Sequence, residues 1–125
     1  MAVVVDASVI AAIAFREEEG PDLAIHLSGQ TLLAPALIDY ELANIALKKA
    51  KLQPKAAPQI GAVLNAAWHL RITKVAVPAS EAFRIARETG LTAYDASYLW
   101  LARMHDAELV TLDAALARAA GEAPG

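Results

Sequence analysis

Ala2-Val3-Val4-Val5-Asp6 is the stretch whose reading decides the fold. Its three consecutive valines show no alternation of apolar and polar residues. A strand with one wet face alternates, whereas a strand covered on both faces does not, and the latter is the habit of parallel sheets layered by helices. Outward from this run, Ala7 to Arg16 reads as an apolar helix and Pro21 to Leu27 as a second, short one stopped at Gly29. Thr31-Leu32-Leu33-Ala34 repeats the strand signal and Pro35 ends it. Ala36 to Leu52 is a third helix, with Ile38, Leu42, Ile45 and Ala46 near helical spacing, and Gln53 to Pro58 is a connector. Gln59 to Leu70 is a fourth helix, with Ile60, Val63, Leu64, Ala67 and Trp68 on one side. Arg71 to Val77 is a third strand, and Pro78-Ala79-Ser80 turns into a fifth helix with Phe83 and Ala86 inward and Gly90 at its end. Thr92 to about His105 is a sixth helix, Glu108 to Leu112 a fourth strand, Ala114 to Ala120 a last short helix, and Gly121 to Gly125 a frayed end. Strands alternating with helices predict an α/β fold. No repeat or linker divides the chain, so one domain over residues 1–125 is expected.

Composition narrows the function. The 125 residues are 57% hydrophobic, rich for a chain this short, which suggests apolar surface covered by a partner. Eleven basic residues against fourteen acidic ones give a net charge of −3, so the chain lacks the global positive field of a general nucleic-acid binder. Any contact with RNA or DNA then needs a local patch or a bound cation. With no cysteine, disulfides and thiolate metal sites are excluded and cytoplasm is the default location. Asp6 interrupts the apolar start and no basic segment precedes it, so no signal peptide is expected; Val9 to Phe15 is too short to span a membrane.

Four acids stand out against this apolar background. Asp6 and Asp113 directly follow apolar strands, and in an open parallel sheet ligands bind beyond the carboxyl ends of the strands. Asp95 lies in the first turn of Leu91-Thr92-Ala93-Tyr94-Asp95-Ala96-Ser97-Tyr98-Leu99-Trp100-Leu101-Ala102, a helix apolar nearly all round, and Glu41 borders the apolar stripe of the third helix. Each acid has a simpler reading. Asp6 and Asp113 suit helix N-caps, Thr92 and Asp95 suit a capping box, and Glu41 suits a helix acid near Lys48. If all four converge, their repulsion must be relieved by protonation or by a divalent cation, and an oxygen-only site suits Mg²⁺ or Mn²⁺.

The motifs Val4-Val5-Asp6-Ala7-Ser8, Ala34-Pro35 through Glu41-Leu42-Ala43-Asn44, Thr92-Ala93-Tyr94-Asp95-Ala96-Ser97-Tyr98 and Leu109-Val110-Thr111-Leu112-Asp113 occur in this order. Together they make the chain resemble the PIN-domain family, and within it the VapC-type toxins of toxin–antitoxin pairs. The resemblance runs to about Leu116. It implies a three-layer αβα sandwich around a mostly parallel sheet of four or five strands, the first strand central. It implies an endoribonuclease that cleaves RNA with metal-activated water. Asp6, Glu41, Asp95 and Asp113 would be the catalytic, metal-holding quartet, supported by Ser8, Asn44 and Thr111. A homodimer and a cognate antitoxin seated in an apolar groove are implied with it. One departure is visible: Ala119 to Gly125 carries no signal for the fifth strand such chains often have.

Other residues invite less. His26, His69 and His105 match no ligand spacing. Tyr94 and Tyr98 could stack on an RNA base but read first as core, as do Trp68 and Trp100, the last two alternatively as dimer surface. Lys48, Lys49 and Lys51, with Lys55, form the best local basic patch for RNA, or a solvated helix end whose charges suit the dipole. The alternative functions are a non-catalytic interaction module on the same fold, a phospho-accepting signalling domain and an aspartate-nucleophile phosphatase. The signalling domain wants a paired acid after the first strand and a late-strand lysine. The phosphatase wants an acid where Ser8 stands.

Overall fold

The computed structural model describes residues 1–67 and 69–121. The expectations for Trp68 and for residues 122–125 lie outside the described residues. Four strands, β1 (Ala2–Val5), β2 (Thr31–Pro35), β3 (Ile72–Val75) and β4 (Glu108–Val110), form one sheet in the order β3-β2-β1-β4, and every pair is parallel. The first strand is therefore interior, and Val3, Val4 and Val5 are buried. Among the described residues seven α-helices flank the sheet: α1 (Ala7–Ala14), α2 (Gly20–Leu27), α3 (Ile38–Leu52), α4 (Ala57–Ala67), α5 (Ala79–Thr89), α6 (Ala93–Met104) and α7 (Ala114–Gly121). Helix α6 lies across β1, β2 and β4 with α5 and α7 beside it, while α1 gathers α2, α3 and α4. This is the three-layer sandwich the sequence predicts. No fifth strand is present among the described residues.

Three local readings are corrected. Helix α3 starts at Ile38 rather than Ala36, because the Ala36 N–H still bonds to the Val75 carbonyl on β3 at 3.0 Å. The connector after α3 is itself a 3₁₀ turn (Pro54–Ala56) running straight into α4. On α5 Ala82 and Ile85 are buried and Ala86 packs against the core as expected, but Phe83 is 60% exposed. A shift of one residue turns a helix by about 100°, so the stripe that buries Ala82 and Ile85 leaves Phe83 facing solvent.

Register does the work of positioning. Val5 pairs with Val110, so the chain leaves β1 and β4 side by side and level. Asp6 and Thr111 are the next residues on each, and Asp113 follows two positions later.

The α1–α2 connection depends on a glycine. A Cβ on Gly20 would stand 2.6 Å from the Ala12 carbonyl oxygen, a backbone atom that cannot swing aside. Gly20→Ala should therefore lower stability by about 1–3 kcal/mol, the usual range for forced overpacking. A urea melt showing no change would mean that α2 can slide.

Candidate active site

A cleft of about 360 Å³ opens at the carboxyl end of the sheet, lined by Asp6, Ser8, Glu41, Asn44, Lys48, Asp95, Tyr98 and Asp113 among others. The four acids predicted from separate parts of the chain thus share one cavity.

Asp6 is held most firmly. It is 6% exposed and caps α1, its Oδ1 accepting from the Val9 N–H at 3.2 Å and from Ser8 Oγ at 2.6 Å. Thr111 Oγ1 donates to Oδ2. Ser8 Oγ in turn accepts from the Leu112 N–H at 3.1 Å, and Thr111 Oγ1 accepts from the Asp113 N–H at 3.0 Å. The predicted supporting residues Ser8 and Thr111 thereby tie the ends of β1 and β4 together around one carboxylate.

Asp113 caps α7, with Oδ1 accepting from the Leu116 N–H at 2.8 Å. The N-cap readings of Asp6 and Asp113 are thus correct, and capping does not remove either residue from the cleft. For Asp95 only half of a capping box forms. Thr92 Oγ1 accepts from the Asp95 backbone N–H at 3.1 Å, and among the described residues no bond from the Asp95 carboxylate completes the box. Burial raises the Asp95 carboxyl above its ordinary value, and the charges of Asp113 and Asp6 add to the effect.

Glu41 comes from the first turn of α3. Burial raises its carboxyl too, helped by Asp95 and Asp6 and opposed by a hydrogen bond from Tyr98, whose hydroxyl donates to Oε1 at 2.5 Å. Burial, then the hydrogen bond to Glu41 and its charge, hold the Tyr98 phenol well above its ordinary range, so it stays a donor. The core reading of Tyr98 is right for its ring, but spacing gave no sign of this bond, whose partner is 57 residues away in sequence. Tyr94, by contrast, is exposed, and Trp100 packs against the core.

The lysine patch divides. Lys48 lines the cleft on the same face of α3 as Glu41 and Asn44, one turn beyond Asn44. Lys49 turns away, with Nζ 2.9 Å from Glu17 Oε1 and 5.0 Å from the centre of the Phe15 ring. Lys51 is exposed and does not line the cleft. The three histidines lie at the surface, and His26 faces Glu108 at 2.9 Å.

Among the described residues no three Asp, Glu, His or Cys side chains close to a finished set of metal ligands. The donor chemistry nevertheless fits a hard divalent cation. Four carboxylates and the oxygens of Ser8 and Asn44 line the cleft, no sulfur or imidazole does, and burial together with neighbouring acids raises the proton affinity of Glu41 and Asp95. Magnesium-like cations retain several waters and are commonly held by only one or two direct carboxylates, so a wide acidic cleft suits them better than a tight cage.

A parallel sheet carrying carboxylates at its exit edge, with a rigid helix presenting one more, defines a class that the comparisons identify. The PIN domain pattern matches residues 3–122, and the chain belongs to the PIN domain family. It is 34% identical over 122 residues to Ribonuclease VapC3 of Pyrobaculum aerophilum, covering 94% of this chain and 93% of that protein. The crystal structure of PAE2754 from Pyrobaculum aerophilum superposes with a TM-score of 0.79 at 30% identity, over 97% of this chain and 86% of that one.

Proposed function

We infer that this protein is a metal-dependent endoribonuclease, the toxin of a toxin–antitoxin pair, acting in the cytoplasm as one domain. The single observation that carries the reading is the meeting of Asp6, Glu41, Asp95 and Asp113 in one cleft of a PIN-family chain. Its similarity to a ribonuclease of the VapC type supports the substrate and the antitoxin. Asp6, Glu41, Asp95 and Asp113 would hold Mg²⁺ or Mn²⁺, directly or through water. When bound, the cation neutralises charge on the phosphate and makes water a better nucleophile.

The chain's own residues do the rest. Ser8, Thr111 and the Val9 N–H keep Asp6 in one orientation, and Tyr98 does the same for Glu41. Asp95, free of side-chain hydrogen bonds among the described residues, remains available. Without a cation the acidic walls repel RNA. Lys48 and Asn44 at the cleft offer a charge and a hydrogen-bonding amide to a phosphate. Exposed apolar residues on several helices, Tyr40 and Leu47 of α3 and Phe83 of α5 among them, support a homodimer and an antitoxin contact. No helix among the described residues is long and apolar enough to cross a membrane.

Incubating the protein with mixed structured RNAs tests the reading. Discrete fragments with Mn²⁺ and none with chelator are expected, and intact RNA in both would favour the non-catalytic module. The lysines give a finer test. Lys48→Gln should weaken RNA binding several-fold and flatten its salt dependence by about one charge, while Lys49→Gln should leave both unchanged. Equal effects of the two would return Lys48 to the solvated helix surface.

A further inference from the structure

We propose that Tyr98 is a positioning residue for the cation, acting through Glu41. The inference rests on the metal-site reading above and adds a residue to it. Tyr98 is fully buried and belongs to the apolar core cluster, yet it also lines the acidic cleft. Its hydroxyl donates to Glu41 Oε1 at 2.5 Å, the length of a charge-assisted bond. Glu41 has no other side-chain hydrogen bond among the described residues. A glutamate has three side-chain torsions, and freezing them is costly unless a partner does it beforehand. Tyr98 is such a partner. It is rigid because its ring is packed, and it lies three residues after Asp95 on the same helix. It therefore fixes the Glu41 carboxylate of α3 relative to the Asp95 carboxylate of α6, leaving Oε2 for the cation. Groups that orient metal ligands in this way typically account for tenfold to hundredfold in metal affinity.

The test is Mn²⁺ titration by calorimetry of wild type, Tyr98→Phe, Glu41→Gln and the double variant. Phenylalanine keeps the packed ring and removes only the hydroxyl. Tyr98→Phe should raise the Mn²⁺ dissociation constant about tenfold, and in the Glu41→Gln background it should add little, because the route through Glu41 is already broken. A purely structural tyrosine would lower the melting temperature without moving the Mn²⁺ affinity. Should Tyr98→Phe fold poorly, the wild-type protein carries the test by NMR of ring-labelled tyrosine. The Tyr98 signal should then shift along the Mg²⁺ binding curve, and in Glu41→Gln it should not. Unchanged Mn²⁺ affinity in Tyr98→Phe, or a Tyr98 signal indifferent to Mg²⁺ in wild type that binds it, overturns the positioning role and leaves the metal site standing. Failure of wild type itself to bind Mn²⁺ overturns both.

Discussion

Asp95→Asn should lower RNA cleavage by orders of magnitude while leaving the fold intact. The capping bond at the start of α6 uses the Asp95 backbone N–H, which asparagine retains, so the helix keeps its cap. What is lost is one negative charge in a cleft where burial and then the charges of Asp113 and Asp6 raise the Asp95 carboxyl. Removing one electrostatic stabiliser from a preorganised site commonly lowers turnover by about 100- to 1,000-fold. Asp22→Asn is the control, since Asp22 is exposed on α2 and does not line the cleft. Initial rates on one RNA at saturating Mn²⁺, with circular dichroism on the same samples, check the expectation. Near-wild-type cleavage by purified Asp95→Asn would remove Asp95 from the site.

The second large effect is on stability. Glu41 and Asp95 have carboxyls raised in the folded protein, chiefly by burial and then by neighbouring acids. In the metal-free protein the native state therefore binds more protons than the unfolded chain across that window. The contribution of these two groups is fully present below the unfolded carboxyl value of about 4 and is lost as pH rises through the folded values. At neutral pH the metal-free protein thus carries the repulsion, and a divalent cation that binds only the folded cleft relieves it. At free Mn²⁺ roughly 100 times its dissociation constant the gain is about 2.7 kcal/mol, which for a domain of this size raises the melting temperature by roughly 10 °C. Asp95→Asn should melt at or above the metal-free wild-type temperature and respond less to Mn²⁺. Were Asp95 only a cap, the variant would melt no higher and Mn²⁺ would do nothing to either protein.

Much of this was legible in the chain because the fold is locally consistent. Val3-Val4-Val5 cannot be a half-wet strand, and an acid at or just beyond the end of a parallel strand, Asp6 directly after β1 and Asp113 three residues after β4, emerges at the sheet's carboxyl edge. Asp6 and Asp113 were therefore readable from the strands alone, whereas the meeting of Asp95 and Glu41 with them needed family motifs, since the approach of α3 to α6 leaves no periodicity behind. The Tyr98–Glu41 bond was hidden for the same reason: a tyrosine on an apolar helix reads as core whether or not its hydroxyl has a partner. Lys48 and Lys49 look alike in sequence and differ only by the 100° that sends one to the cleft and the other to Glu17 and Phe15. Phe83 stands one residue from the buried Ala82 on an equally regular spacing, so the periodicity of α5 alone does not tell which of the two faces the core.

The central claim is that four carboxylates hold a divalent cation on which RNA cleavage depends. Its most direct test is a Mn²⁺ titration of the chelator-treated protein, with calorimetric occupancy and RNA cleavage rate measured on the same samples. Cleavage should be absent without Mn²⁺ and rise along the occupancy curve, and Asp95→Asn should depress both. Cleavage that persists in chelator, or Mn²⁺ occupancy that rises without any cleavage of RNA, would contradict the claim.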